Sequence, residues 1–318
     1  MSTKKSKLRV IFFGTPEYAV PSLEALYANF DVVAVVSQPD RPSGRGNQVV
    51  ATPVKAAAES LGIKVLQPPK IREAMEDLAQ IPCDVMVTVA YGQIIPKQIL
   101  DIARLGVINA HGSLLPKYRG SSPVQWALIK GEDTTGVTIM QTDTGLDSGH
   151  IWALFPISID DSDTQQSLML KLSKLSASAL VETLPKIDSG EIASQPQEEG
   201  EATYFPLLRK TDGEIDFCDT AKSIVDKIRG LTPWPGAYTY LDDVVVKVWA
   251  ASVTGGVIGA TGGEVIASNP ADGLVVASGD AKGVYISELQ LAGGKRMDIK
   301  DFLRGRVIPI GTVFGRQF

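Results

Sequence analysis

Residues 8–37, LRVIFFGTPEYAVPSLEALYANFDVVAVVS, decide the fold. The run Leu8–Gly14 is apolar and ends in glycine. Glu17–Asn29 carries Val20, Leu23, Leu26 and Tyr27 on one helical face, and Asp31–Ser37 is a second apolar run. Strand, helix and strand, with near-continuous apolar strands, form the repeating unit of a parallel sheet covered on both faces. The rhythm continues outward. Pro53–Leu61 reads as a helix, Ile63–Leu66 as a short strand and Ile71–Ala79 as a helix. Asp84–Ala90 (DVMVTVA) reads as a buried strand, Pro96–Ala103 as a helix opened by proline, and Gly106–His111 as a strand. The first half is therefore predicted to be α/β, a mostly parallel, doubly wound sheet. Gly14-Thr15-Pro16 offers one glycine where a dinucleotide fingerprint needs three, and no acidic residue ends the second strand. That turn does not read as an NAD site.

The pattern changes after Gly136. Gly136–Thr142 and His150–Ile159 read as strands and Thr164–Asp188 as a long helix. Gly190–Pro206 holds four acidic and no basic residues and reads as a linker. Beyond it, short β runs recur: Gly236–Leu241, Val244–Ala251, Gly263–Ala267, Gly273–Ser278 and Val284–Leu291, with Asp242-Asp243 suited to a hairpin turn. About five strands in such a stretch suggest a small all-β barrel of the oligonucleotide-binding type, with a sandwich as the alternative. The expected organisation is a catalytic domain at 1–189, a linker at 190–207 and a barrel at 208–318.

Composition bounds the function. The chain has 318 residues, 44% hydrophobic and 21% charged, as globular proteins do. It contains no apolar run near the ~20 residues of a membrane span. Four basic residues lie within Met1 to Arg9, but the following Val10–Gly14 run is too short for a signal-peptide core, so a first strand is expected. Cys83 and Cys218 are the two cysteines, which excludes a disulfide scaffold and fits a reducing, cytoplasmic location. With His111 and His150 as the two histidines, a multi-histidine metal centre is excluded as well. Net charge is −5, yet Lys282 to Phe318 carries seven basic and three acidic residues. Those cations are either a solvated face or a phosphate-contacting patch, which needs only local positive charge.

Three segments bear chemistry. Gln38–Thr52 (QPDRPSGRGNQVVAT) is longer than the 2–6 residues usual for α/β connections, so it is either a surface insertion or a functional loop. In Asn109-Ala110-His111-Gly112-Ser113-Leu114-Leu115-Pro116-Lys117-Tyr118-Arg119-Gly120, Asn109 and His111 share one face at the carboxyl end of a strand, where α/β sheets place ligands. A neutral amide donor beside an imidazole suits carbonyl chemistry, although a structural histidine is the plainer alternative. In Thr142–Gly149 (TDTGLDSG), glycines flank Asp147 and allow a tight loop that aims its carboxylate inward; an ordinary turn aspartate is the alternative. A carboxylate beside an imidazole fixes its tautomer. Without a nucleophile elbow or a well-placed cysteine, direct attack by an external nucleophile is expected.

Together, NAHGSLLPKYRG and GLDSG resemble the formyltransferase superfamily that uses 10-formyltetrahydrofolate. FGTPEYAVPSLEAL at 13–26, QPDRPSGRG at 38–46, GVTIMQTDTGLDSG at 136–149, LTPWPGAYTYL at 231–241 and VKVW at 246–249 are similar to its tRNA-directed branch, over nearly the whole chain. The resemblance implies a Rossmann-like domain, a linker and a barrel resembling an oligonucleotide-binding fold. It implies formyl transfer from 10-formyltetrahydrofolate to the α-amine of methionyl initiator tRNA, with tetrahydrofolate released and no metal at the catalytic centre. It makes Asn109, His111 and Asp147 catalytic, Ser113, Leu114, Leu115 and Pro116 folate-contacting, and Arg41 tRNA-contacting, with Arg45 as its companion. It implies a monomer acting away from membranes. Transfer to a sugar nucleotide, formyltetrahydrofolate hydrolysis and a non-catalytic RNA-binding module are the alternatives.

Overall fold

The computed structural model describes residues 8–43, 48–256 and 259–316. Two compact units emerge, and neither is continuous in sequence. The first gathers residues up to Gly120, Thr134–Ser158 and Met169–Tyr204; the second gathers Ser121–Asp133, Ile159–Leu168 and the chain from Phe205 onward.

The first unit contains strands β1 (Arg9–Gly14), β2 (Asp31–Val36), β3 (Arg41–Ser43), β4 (Gln48–Val50), β5 (Val65–Leu66), β6 (Val85–Val89), β7 (Val107–His111), β8 (Arg119–Gly120), β9 (Thr134–Gln141) and β10 (Ile151–Ser158). Its main sheet runs in the order β10-β9-β7-β6-β1-β2-β5. β7, β6, β1, β2 and β5 are parallel, while β9 and β10 are antiparallel at one edge. This is the mostly parallel sheet that the sequence predicts. Val10, Ile11, Phe12 and Phe13 are all fully buried, which explains an apolar run without alternation: both faces of β1 are covered. Helices α1 (Val20–Asn29), α2 (Pro53–Ser60), α3 (Met75–Ala79) and α4 (Lys97–Leu100) follow the predicted order, though α3 is entered through a 3₁₀ turn and α4 is a single turn. Thr52 caps α2, accepting from the Lys55 N–H at 3.2 Å and meeting the Ser37 hydroxyl at 2.6 Å, so the helix starts pinned to the end of β2.

Gln38–Thr52 is not wholly irregular. β3 and β4 pair as a small antiparallel hairpin, with Arg41 opposite Val50. Residues 191–204, expected as linker, run instead along the first unit. Gln195 bridges Ile151, and Thr203 takes the Arg119 N–H on its carbonyl and the Tyr118 N–H on its hydroxyl, both at 2.8 Å.

The second unit begins with α5 (Pro123–Ile129), and the head of the long helix α6 (Gln165–Ser189) falls within it. After β11 (Tyr204–Phe205) come α7 (Ala221–Leu231) and strands β12 (Ala237–Leu241), β13 (Val244–Gly256), β14 (Val265–Asn269), β15 (Gly273–Ala277), β16 (Lys282–Leu291) and β17 (Met297–Asp298), then α8 (Ile299–Gly305). The sheet is antiparallel, in the order β12-β13-β16-β15-β14, with β17 beside β16. Asp242 and Asp243 both take left-handed backbone (φ 48° and 62°) and close the β12–β13 hairpin as their sequence suggests. Ile224 and Ile228 of α7 join Val246, Val248, Val284 and Ile286 of the sheet in one core. Gly230 lets α7 approach α5: a side chain there would bring its Cβ within 3.1 Å of the Gln125 carbonyl oxygen.

Candidate active site

The site lies at the carboxyl end of β7. Strand alternation puts Asn109 and His111 on one face, with Met140 and Thr138 opposite them on β9. Asn109 is half-buried, and its amide has no protein hydrogen-bond partner among the described residues. His111 is buried, and its Nε2 lies 3.0 Å from the Tyr118 carbonyl oxygen. A carbonyl only accepts, so Nε2 carries the hydrogen and Nδ1 is left to the site. Nδ1 lies 3.7 Å from Asp147 Oδ1, an electrostatic contact just beyond hydrogen-bond length.

Asp147 arrives on the loop between β9 and β10. Gly149 makes that loop possible, because a Cβ there would run into the Gln141 carbonyl oxygen. Asp143 closes the loop from within, accepting from the Gly145 N–H at 2.9 Å and from the Ser148 hydroxyl. Asp147 itself is left-handed (φ 51°), and its Oδ2 accepts the Gly120 N–H at 2.8 Å. The structure thus brings Asn109, His111 and Asp147 to one sheet edge.

Three groups that the sequence reading did not single out hold this arrangement: Gly120 through its N–H, Arg119 and Gln197. Gln197 Nε2 donates at 2.8 Å to the carbonyls of both Asp147 and Gly149. Arg119, almost wholly buried, binds Gln197, Glu199 and Tyr204. Its guanidinium holds the Glu199 carboxyl below the usual range.

The 113–116 segment folds mainly on itself. Ser113 is fully buried and its hydroxyl donates to the Lys117 carbonyl at 2.8 Å; the Leu115 N–H donates to Thr138 Oγ1 at 3.0 Å. Leu115 is buried and the Leu115–Pro116 peptide is cis, while Leu114 and Pro116 keep partly open surfaces. Ile94, in the segment after β6, and Leu146, beside Asp147, leave large apolar side chains exposed.

Arg41 is exposed on the wall of a cleft of about 650 Å³, shared with Thr15, Gln38, Val50 and Tyr91. Burial pushes the Tyr91 phenol up to about 12, and its hydroxyl has no hydrogen-bond partner among the described residues. Arg45 lies outside the described residues. A second cleft of about 790 Å³ reaches the Asp147 loop only through Asp143 and Thr144; the rest of its wall, with Leu100, Gly106, Gln141 and Trp152, stands by the opposite end of β7. It therefore belongs less directly to the chemistry. Among the described residues, no group of three or more His, Cys, Asp or Glu side chains is placed to hold a metal ion, and no helix is long and apolar enough to cross a membrane.

The basic tail is less positive than its composition. Arg296, Arg304 and Arg316 pair with Glu288, Asp301 and Glu214, and Lys282 lies 3.8 Å from Asp280. Lys295, Lys300 and Arg306 make no ion pair among the described residues.

Fold and site together define a two-part formyl transferase: residues 7–184 match the formyl transferase family and residues 207–307 its C-terminal domain. The likeness extends to whole proteins. The methionyl-tRNA formyltransferase of Citrifermentans bemidjiense is 44% identical over 313 residues, covering 98% of this chain and 97% of that protein. That of Caldanaerobacter subterraneus is 43% identical over 310 residues, covering 96% and 99%. The chain belongs to the methionyl-tRNA formyltransferase family. Among solved structures, the fold is shared with an N-formyltransferase from Helicobacter canadensis in complex with folinic acid and dTDP-3-aminofucose (TM-score 0.67, 18% identity, 88% of this chain and 99% of that one). It is shared also with HypX from Aquifex aeolicus in complex with tetrahydrofolic acid (TM-score 0.60, 16% identity, 94% and 47%).

Proposed function

We propose that this enzyme transfers the formyl group of 10-formyltetrahydrofolate to the α-amine of methionyl initiator tRNA, at Asn109, His111 and Asp147. The observation that carries the reading is the closure of Asp147 on His111 at the carboxyl end of β7, in a chain that matches methionyl-tRNA formyltransferases end to end. The folate substrate supplies an activated formyl group on its N10. Exposed Ile94 and Leu146 suit the apolar faces of its ring system, and Leu114 and Pro116 are the members of the 113–116 segment with surface to offer it.

The amine attacks as the neutral nucleophile, and negative charge collects on the formyl oxygen. The unpartnered Asn109 amide is a ready donor to that oxygen. His111, anchored through Nε2 to Tyr118, presents Nδ1 toward the same place and donates from it when protonated. Asp147, beside that ring, helps to collect the proton the amine loses, directly or through water. No residue forms a covalent bond to the formyl group: the tetrahedral adduct collapses by breaking its bond to N10, which takes up a proton as tetrahydrofolate leaves.

In this reading Arg41, on the cleft beside the site, meets the acceptor end of the tRNA, with Arg45 as its companion, and Lys295, Lys300 and Arg306 are free to meet phosphates. The enzyme works in the cytoplasm as a monomer. Transfer assayed with methionyl initiator tRNA, with uncharged tRNA and without tRNA tests the reading. Formylation of the charged tRNA alone supports it. Folate turnover that ignores tRNA moves the enzyme to hydrolysis or to a different amine.

A further inference from the structure

We infer that Gln197, anchored by Arg119, is a positioning residue that sets the Asp147 carboxylate against His111. The inference rests on the proposed formyl transfer for its kinetic consequence, and on geometry alone for its conformational one.

Arg119 and Gln197 are both saturated. All five N–H bonds of Arg119 are used: Nε and Nη2 donate to Gln197 Oε1 at 3.0 and 2.9 Å, Nη1 and Nη2 to the two oxygens of Glu199 at 3.1 and 2.7 Å, and Nη1 to the Tyr204 hydroxyl at 2.6 Å. The guanidinium side chain is wholly buried and lies 5.4 Å from the centre of the Tyr204 ring. Such a fork cannot rotate without losing several bonds at once. It fixes the Gln197 amide, whose two hydrogens go to the Asp147 and Gly149 carbonyls. The residue after Arg119 completes the grip, since the Gly120 N–H holds the Asp147 carboxylate. Asp147 is therefore held at its carbonyl by Gln197, which Arg119 anchors, and at its carboxylate by Gly120.

The loop has reason to need holding. A left-handed aspartate costs backbone energy and persists where its surroundings impose it. The Nδ1–Oδ1 distance of 3.7 Å stands at the margin of a hydrogen bond, so a displacement of the order of 1 Å decides whether His111 and Asp147 act together.

Gln197→Glu separates positioning from scaffolding: a carboxylate still accepts from Arg119, but it has no hydrogen for the two loop carbonyls. Gln197→Ala, which removes both links, serves as the second variant. Both are expected to lose kcat by about 10- to 100-fold, with KM for folate and for tRNA held within about twofold and the melting temperature of Gln197→Glu at the wild-type value. Placed on top of Asp147→Asn, Gln197→Glu should cost no more than about twofold further, because the group it positions is already gone. Amide hydrogen exchange in residues 143–150 of free Gln197→Glu should rise while exchange in β1 and β6 stays fixed. The full loss repeated in the Asp147→Asn background, a kcat loss matched by falling melting temperature or rising KM, or wild-type kcat with wild-type loop exchange would each overturn the inference. Wild-type enzyme inactive on methionyl-tRNA would instead remove the functional reading, and the exchange measurement would still decide the clamp.

Discussion

His111 is committed on one side before any substrate arrives: its Nε2 is tied to a backbone carbonyl, and only Nδ1 faces Asp147. The proposed catalytic group is thus one prepared face of an imidazole with a neutral donor, Asn109, two residues away. Arg41 has a different character, being exposed and charged. Arg41→Ala should raise KM for tRNA, leave the folate KM unchanged and reduce the salt slope of tRNA binding by about 1, read from binding titrations at several salt concentrations. An unchanged slope removes Arg41 from the tRNA contact. At this scale the sequence was legible where chemistry follows local spacing. Asn109 and His111 stand two apart on a strand, and glycines flank the Asp147 turn. Arg119 and Gln197 were not legible, because their partnership spans 78 positions and Gln197 sits in an acidic stretch with no periodic pattern.

Elements place those residues through a few cross-links. At the start of β1, the Arg9 N–H donates to Asp84 at 2.8 Å and its guanidinium Nε at 3.3 Å, registering β1 beside β6. These Arg9 contacts depress the Asp84 carboxyl below its ordinary 3.8. A depressed carboxyl stabilises the fold above its unfolded value, and that stabilisation is lost as pH falls through the lower folded value. Asp84→Asn should therefore lower the urea midpoint at pH 7 and approach wild type below pH 3.8; a deficit independent of pH would assign the effect to packing. The parallel strands were readable because burial on both faces leaves uninterrupted apolar runs. α7 was passed over even though Ile224, Ile228 and Leu231 repeat at helical spacing, since it lies between the expected linker and the first β run. The β3–β4 hairpin hid behind proline and glycine that usually mark irregular loops.

At the scale of the whole molecule, the chain leaves its first unit at Ser121 and again at Ile159 to build the second, so sequence order and compact units differ. Local patterns cannot reveal that, because it depends on which buried faces find each other. The consequence is testable. α5 buries Val124, Ala127 and Leu128 and packs on α7. A chain ending at Pro206 lacks α7, and each apolar side chain so exposed forfeits on the order of 1.5–3 kcal/mol. Such a chain should bind a hydrophobic dye and melt well below wild type, whereas a wild-type melting temperature would make α5 independent of α7. The central claim, formyl transfer at an Asn–His–Asp edge, is tested most directly by single-turnover transfer to methionyl initiator tRNA with Asn109→Ala beside wild type, tRNA affinity being measured on the same samples. The account predicts a rate lower by about 100-fold or more, as for loss of one oxyanion donor, with unchanged tRNA affinity. A wild-type rate, or a loss of binding equal to the loss of rate, would contradict it.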